Sequence, residues 1–135
     1  MIIIVLLSSC TQKTLRFTTY QSKYNIKLPK GYALKKTVDY HGSKEYQAVY
    51  ADSSVVYITD DLVSGGDDNS KAKEYGDGID IKILVTDYLV LEGVHANGRY
   101  WKEQKCGNIV VGCFNVPSNK KRAYEMALSL VCNVL

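Results

Sequence analysis

Histidine is scarce in this chain, occurring only as His41 and His95, and neither has a cysteine or carboxylate at metal-ligand spacing. Both read as surface turn residues. Proline occurs twice, Phe twice and Trp once. No apolar stretch approaches the roughly 20 residues that a membrane-spanning helix needs, and no repeat or coiled-coil heptad is present. Net charge is only +3, too weak to argue for nucleic acid as a partner, whose electrostatic footprint would be a dense basic stripe. The Ser64-Gly65-Gly66 element lacks a following Lys-Ser or Lys-Thr, so it is no phosphate loop. Asp60, Asp61, Asp67, Asp68 and Asn69 are rich in oxygen ligands but lack the EF-hand spacing, and they read as a solvated acidic loop. No cofactor or metal is expected. No nucleophile stands beside a base, although the paired carboxylates of a glycosidase would meet only in space.

What is present fits one small globular domain. The 135 residues are 46% hydrophobic and 23% charged, ordinary values for a folded chain. Tyrosine, with 11 copies, suits half-buried strand positions, where the ring packs and the hydroxyl meets water.

The first residues are the most informative. Residues 2–7 are Ile-Ile-Ile-Val-Leu-Leu, followed by Ser8, Ser9 and Cys10 and then a polar stretch. An apolar run that ends in small residues has the shape of a signal peptide nearing its cleavage site. Leu7-Ser8-Ser9-Cys10 resembles the bacterial lipobox. That resemblance implies that residues 1–9 are removed and that Cys10 becomes an acylated N-terminus; more than one acyl chain is what stable anchoring requires. The competing reading makes residues 2–7 a buried strand. The match lacks the usual Lys or Arg before the apolar run. By the same analogy, Thr11 in place of Asp favours the outer membrane, facing the periplasm. Of the other cysteines, Cys106, Cys113 and Cys132 form an odd set. They read as buried free thiols, with one disulfide as the alternative.

Residues 10–22 read as an acylated cysteine and tether, and 23–135 as the domain. Tyr24 to Leu28 alternates as a half-buried strand that Pro29 and Gly31 stop. Tyr32 to Tyr40 reads as a second strand, and Glu45 to Ala51 with Ser54 to Asp60 as a hairpin around Asp52-Ser53. Residues 61–78 read as a long loop. Ile79, Ile81, Ile83 and Val85 favour a strand, with a helix from Ile81 to Leu91 as the alternative. Asn97-Gly98 is a strong hairpin signal, and Gly107-Asn108 turns the chain into a third strand of a meander. A final helix is expected from about Asn119 to Asn133, with Ser118 as its N-cap.

The expected architecture is thus α+β: an antiparallel sheet of about six to seven strands with a C-terminal helix packed on it. Tyr24-x-Ile26-x-Leu28-Pro29-x-Gly31-Tyr32 resembles the opening of PsbP/Mog1-like domains. Gly98 to Trp101 and the helix carrying Ala127-Leu128-Ser129-Leu130 resemble their end. DcrB-like and LpqN-like lipoproteins are thought to share that fold. The resemblance implies a sandwich and an envelope location, and no activity.

Two surface features stand out. Lys120, Lys121 and Arg122 place cations in the first helical turn, where the macrodipole disfavours them. Against the plain reading of a solvated face stands contact with an acidic partner or lipid headgroups. Tyr100 and Trp101 face opposite sides of one strand, so one belongs to the core and Trp101 is a candidate partner anchor. The functional expectation is a membrane-anchored envelope lipoprotein, held through Cys10, acting as a non-enzymatic binding or accessory module for an envelope protein or another envelope component. A lipoprotein for a small hydrophobic ligand and a hydrolase with a dispersed site are the alternatives.

Overall fold

Period-two alternation of apolar side chains generates most of the molecule. A computed structural model describes residues 12–62, 66, 68–76 and 78–132. Among these, the strands are β1 (Gln12–Thr18), β2 (Lys23–Pro29), β3 (Ala33–Val38), β4 (Lys44–Val49), β5 (Val55–Thr59), β6 (Tyr88–Val94), β7 (Tyr100–Cys106) and β8 (Ile109–Val116). The helices are α1 (Asp68–Tyr75), α2 (Ile79–Val85) and α3 (Lys121–Cys132). Six strands form one antiparallel sheet in the order β3-β4-β5-β8-β7-β6, and β1 and β2 form a separate hairpin. The fold is α+β, with the C-terminal helix packed on the sheet, as the alternation and the final amphipathic stretch predict.

The hairpin and α3 cover one face of the sheet. Leu15 and Phe17 of β1, Ile26 and Leu28 of β2, and Tyr124, Leu128 and Val131 of α3 close on Ala48, Val56, Ile58 and Val111. Leu128, Ile58 and Val111 are fully buried, so the space between helix and sheet is filled by side chains. A smaller cluster lies on the other face, where Ile79 and Ile83 of α2 pack on Leu91 and Trp101.

Several local expectations are corrected. Gln12–Thr18 is not a tether. It is a strand whose Leu15 and Phe17 are buried opposite Ile26 and Tyr24, so the domain begins before residue 23. Its turn is held by Thr19, whose hydroxyl oxygen accepts the Gln21 and Ser22 N–H groups. The stretch read as a loop contains α1. Residues 79–85 are helical rather than extended, because only Ile79 and Ile83, spaced i and i+4, find burial. The Lys120 carbonyl accepts the Tyr124 N–H at 3.2 Å, which puts Lys120 rather than Ser118 at the start of α3. Cys106 and Cys132 form a disulfide across the sheet–helix layer, with Cα atoms 5.6 Å apart, and Cys113 is the buried free thiol. The sulfurs meet because β7 ends beneath the last turn of α3, a proximity that no sequence spacing reveals.

Candidate functional site

All strand ends fall at one of two poles. The first pole gathers the start of β1, the β2–β3 and β4–β5 turns, the Asn97-Gly98 turn, and the β8–α3 junction. A chain of contacts binds it together. Gln12 pairs with Pro29, the Pro29 carbonyl accepts the Tyr50 hydroxyl at 2.8 Å, and Lys120 Nζ lies 5.4 Å from the Tyr50 ring centre. Tyr32 meets Tyr50 edge-on at 5.8 Å, and Tyr50 stacks on Tyr124 at 5.5 Å. Lys13 Nζ stands 5.3 Å from the Tyr32 ring.

The basic run expected at the start of α3 lies here, and its members differ in environment. Lys120 forms an ion pair with Asp52 at 2.6 Å. That ammonium, together with Ser54, holds the Asp52 carboxyl well below the usual carboxylate range, and Asp52 in turn raises Lys120. Lys121 Nζ lies 4.4 Å over the Tyr100 ring. Arg122 is exposed. Arg99 donates to the carbonyls of Asp52 at 2.7 Å and Asn115 at 3.0 Å. Nearby, the Tyr100 hydroxyl faces Glu125 at 2.7 Å and Glu92 at 2.8 Å. Burial and these two carboxylates push its ionisation upward.

Trp101 is not an exposed anchor. It is 2% exposed, packed on the opposite face from Tyr100, so both neighbours on β7 are core residues of different clusters. Large exposed side chains occur elsewhere, on the outer side of α2 (Ile81, Leu84 and Val85) and on β6 (Tyr88, Val90 and Val94). β6 is an edge strand, and its outward backbone at Glu92 is occupied by the Tyr75 hydroxyl, which accepts the Glu92 N–H and donates to its carbonyl.

The two histidines take different positions. His41 is exposed in a turn beside Tyr40. His95 is half-buried and links α1 to β8. A bulge sets two residues of β8, Phe114 and Asn115, against Trp101, and Asn115 adopts φ +55°. The bulge turns the Asn115 N–H to His95 Nε2 at 3.2 Å, while His95 Nδ1 lies 3.3 Å from Ser70 Oγ. This resembles a nucleophile–base pair but is wired in the opposite sense. Because Nε2 accepts an amide proton, the neutral ring carries its hydrogen on Nδ1, which then donates to Ser70 and cannot take the serine proton. An open groove of about 470 Å³ runs past His95, Asn97 and Phe114.

The buried polar chemistry that sequence reasoning missed lies beneath α1. Lys71 and Glu103, 1% and 3% exposed, form an ion pair at 3.0 Å. The Tyr57 hydroxyl donates to the second Glu103 oxygen at 2.6 Å, and burial followed by the Glu103 charge keeps that phenol protonated. Lys105 donates to the carbonyls of Ile83 at 2.6 Å and Leu84 at 3.3 Å, closing the C-terminus of α2. Alternation of Trp101, Glu103 and Lys105 along β7 was the available signal, since it places both charges on the same face as the tryptophan.

Cys10, with the rest of residues 1–11, lies outside the described residues, as do Ser64, Gly65 and Asp67. Among the described residues, no three of His, Cys, Asp and Glu gather to hold a metal, and no helix is long and apolar enough to cross a membrane. Compared with protein-family models, curated proteins and solved structures, the chain matches none.

Proposed function

We propose that the protein is a lipid-anchored module of the bacterial cell envelope that binds another envelope protein and catalyses no reaction. The observation that carries this reading is Leu7-Ser8-Ser9-Cys10 at the end of an apolar run, with the domain starting almost at once, at Gln12. The Cys106–Cys132 disulfide supports an oxidising compartment such as the periplasm. The exposed Ile81, Leu84 and Val85 of α2, set beside Asp80 and Lys82, support a protein partner, since an exposed apolar patch rimmed by charged residues marks a protein-interaction surface. The PsbP/Mog1-like assignment and the outer-membrane location belong to the same proposal.

Intact-mass spectrometry of the full chain expressed in a bacterial envelope, with a photo-crosslinking residue at Ile81, tests both halves. The expected result is a mature chain starting at Cys10 with acyl adducts, lost in Cys10→Ser, and a discrete crosslinked protein. A chain retaining Met1 without lipid overturns the anchor. Acylated chain with no crosslinked species overturns the partner reading at α2.

A further inference from the structure

The pole at which β1 begins is also the cationic pole. Lys13 and Lys30 flank the Gln12–Pro29 pair, Lys13 stands over Tyr32, Lys120 over Tyr50 and Lys121 over Tyr100, Arg99 reaches the Asp52 carbonyl, and Arg122 follows on the first turn of α3. The carboxylates on this side are Asp52, paired with Lys120, Glu92 and Glu125, engaged by Tyr100, and Glu74, which with Lys73 borders the β6–β7 turn beside His95. Lys13, Lys30 and Arg122 are exposed. At the opposite pole the turns carry Asp39, Asp60, Asp61 and Asp87, with Lys23 and Lys44. The molecule is therefore polarised along its strands.

We infer that the cationic pole is a docking surface for anionic bilayer lipid, and that the domain rests on the membrane by this end. The inference builds on the anchor reading, which fixes its geometry. One residue, Thr11, separates Cys10 from Gln12, so the two lie at most about 7 Å apart. That is within the roughly 8 Å over which charge is felt at physiological ionic strength. An acylated Cys10 brings Lys13 and Lys30 to the headgroups, where each cation favours anionic lipid. Tyr32, half-buried with its ring under Lys13, is the type of side chain that settles at a membrane interface. The opposite, acidic pole then faces away from the bilayer. The cations of the first α3 turn, which the macrodipole disfavours in solution, gain lipid phosphates as counter-charges.

Sedimentation of the full-length Cys10→Ser chain with vesicles tests the surface separately from the anchor. The vesicles are phosphatidylcholine alone or phosphatidylcholine with 30% phosphatidylglycerol, a fraction of about that size sufficing for a negative surface potential. Binding to the anionic vesicles is expected to exceed binding to the neutral ones, to weaken with salt, and to fall at least about tenfold in Lys13→Glu/Lys30→Glu/Arg122→Glu. The control Lys23→Glu/Lys82→Glu, with charges reversed away from this pole, is expected to retain binding. Equal binding to both vesicle types, or equal loss in the control, overturns the proposal even where mass spectrometry finds acylated Cys10. Selective binding by a chain that is never acylated in its host leaves the surface standing and removes the anchor.

Discussion

On one face of the six-stranded sheet, β1, β2 and α3 enclose rings and aliphatic chains; on the other, α1 and α2 enclose an ion pair and a phenol. The first face buries apolar side chains with Ser54–Tyr124 as a polar contact across the layer, and the Cys106–Cys132 disulfide pins it. The second places Trp101, Ile79, Ile83 and Leu91 beside Lys71, Glu103, Tyr57 and Lys105. Apolar burial is non-directional and tolerates repacking, whereas a buried charge is tolerated only with its partners in place. The α1–α2 face thus depends on geometry more sharply than the α3 face does. Tyr57 illustrates this: it lies against Gly112 of β8, where any β-carbon would overlap the phenol and the Lys102 carbonyl.

Removing one member of the ion pair should break the comparison most strongly. Lys71→Met takes the ammonium from Glu103 and leaves a carboxylate facing Tyr57 in the interior. A loss of about 3–5 kcal/mol is expected, read as a lower urea midpoint with an unchanged slope. The double variant Lys71→Met/Glu103→Gln should recover much of it, because the stranded charge is then gone. If Lys71→Met alone is neutral, the pair does not organise this face.

The disulfide comes next. It closes a 26-residue separation, and the chain-entropy argument assigns such a loop about 3.5 kcal/mol. Cys106→Ala/Cys132→Ala should lower the unfolding midpoint accordingly, and hydrogen exchange should rise in α3 before it rises in α1. Cys113 offers the internal check. Burial pushes its thiol up to about 12, so a thiol reagent should label the native protein negligibly and the unfolded protein fully. Simultaneous loss of protection in α1 and α3 would mean that the two faces unfold as one.

The contrast between faces also separates what was legible from what was not. β2, the β4–β5 hairpin, the meander and α3 follow from alternation, Asn97-Gly98 and helical spacing, all local signals; Gly98 indeed takes φ +81°. β1 escaped because only Leu15 and Phe17 carry its pattern amid polar neighbours, and its partner strand supplies the rest. α2 was ambiguous for a geometric reason. Ile79 and Ile83 share a face in a strand and in a helix alike, and the helical cost of β-branched residues is only tenths of a kcal/mol each. In the candidate site, Lys120 to Arg122 were visible as a run. Lys13, Lys30 and Arg99 joined them only through topology, and Trp101 left the surface for the same reason. The Lys71–Glu103 pair spans 32 positions that no motif connects.

Asp52 and Lys120 supply the smallest and most exposed test, at the cationic pole rather than within a face. Asp52 sits in the β4–β5 turn, where its carboxylate also accepts the Ser54 N–H at 3.0 Å and hydroxyl at 2.6 Å. Its pKa lies below the unfolded value of 3.8. The stabilisation is therefore present above about pH 4 and fades as pH falls through the lower folded value. Lys120 is shifted up from 10.5, so its share is present below that value and fades as pH rises through the higher folded one. The side chains are 26% and 38% exposed, and solvent screening limits the pair to less than about 1 kcal/mol. Asp52→Asn retains an acceptor for Ser54 while removing the charge. Its deficit against the unmodified chain should be flat from about pH 5 to pH 10, narrow on either side, and shrink in high salt. A deficit of several kcal/mol that ignores salt would move Asp52 into the same class as Glu103, a carboxylate on which the packing around it depends.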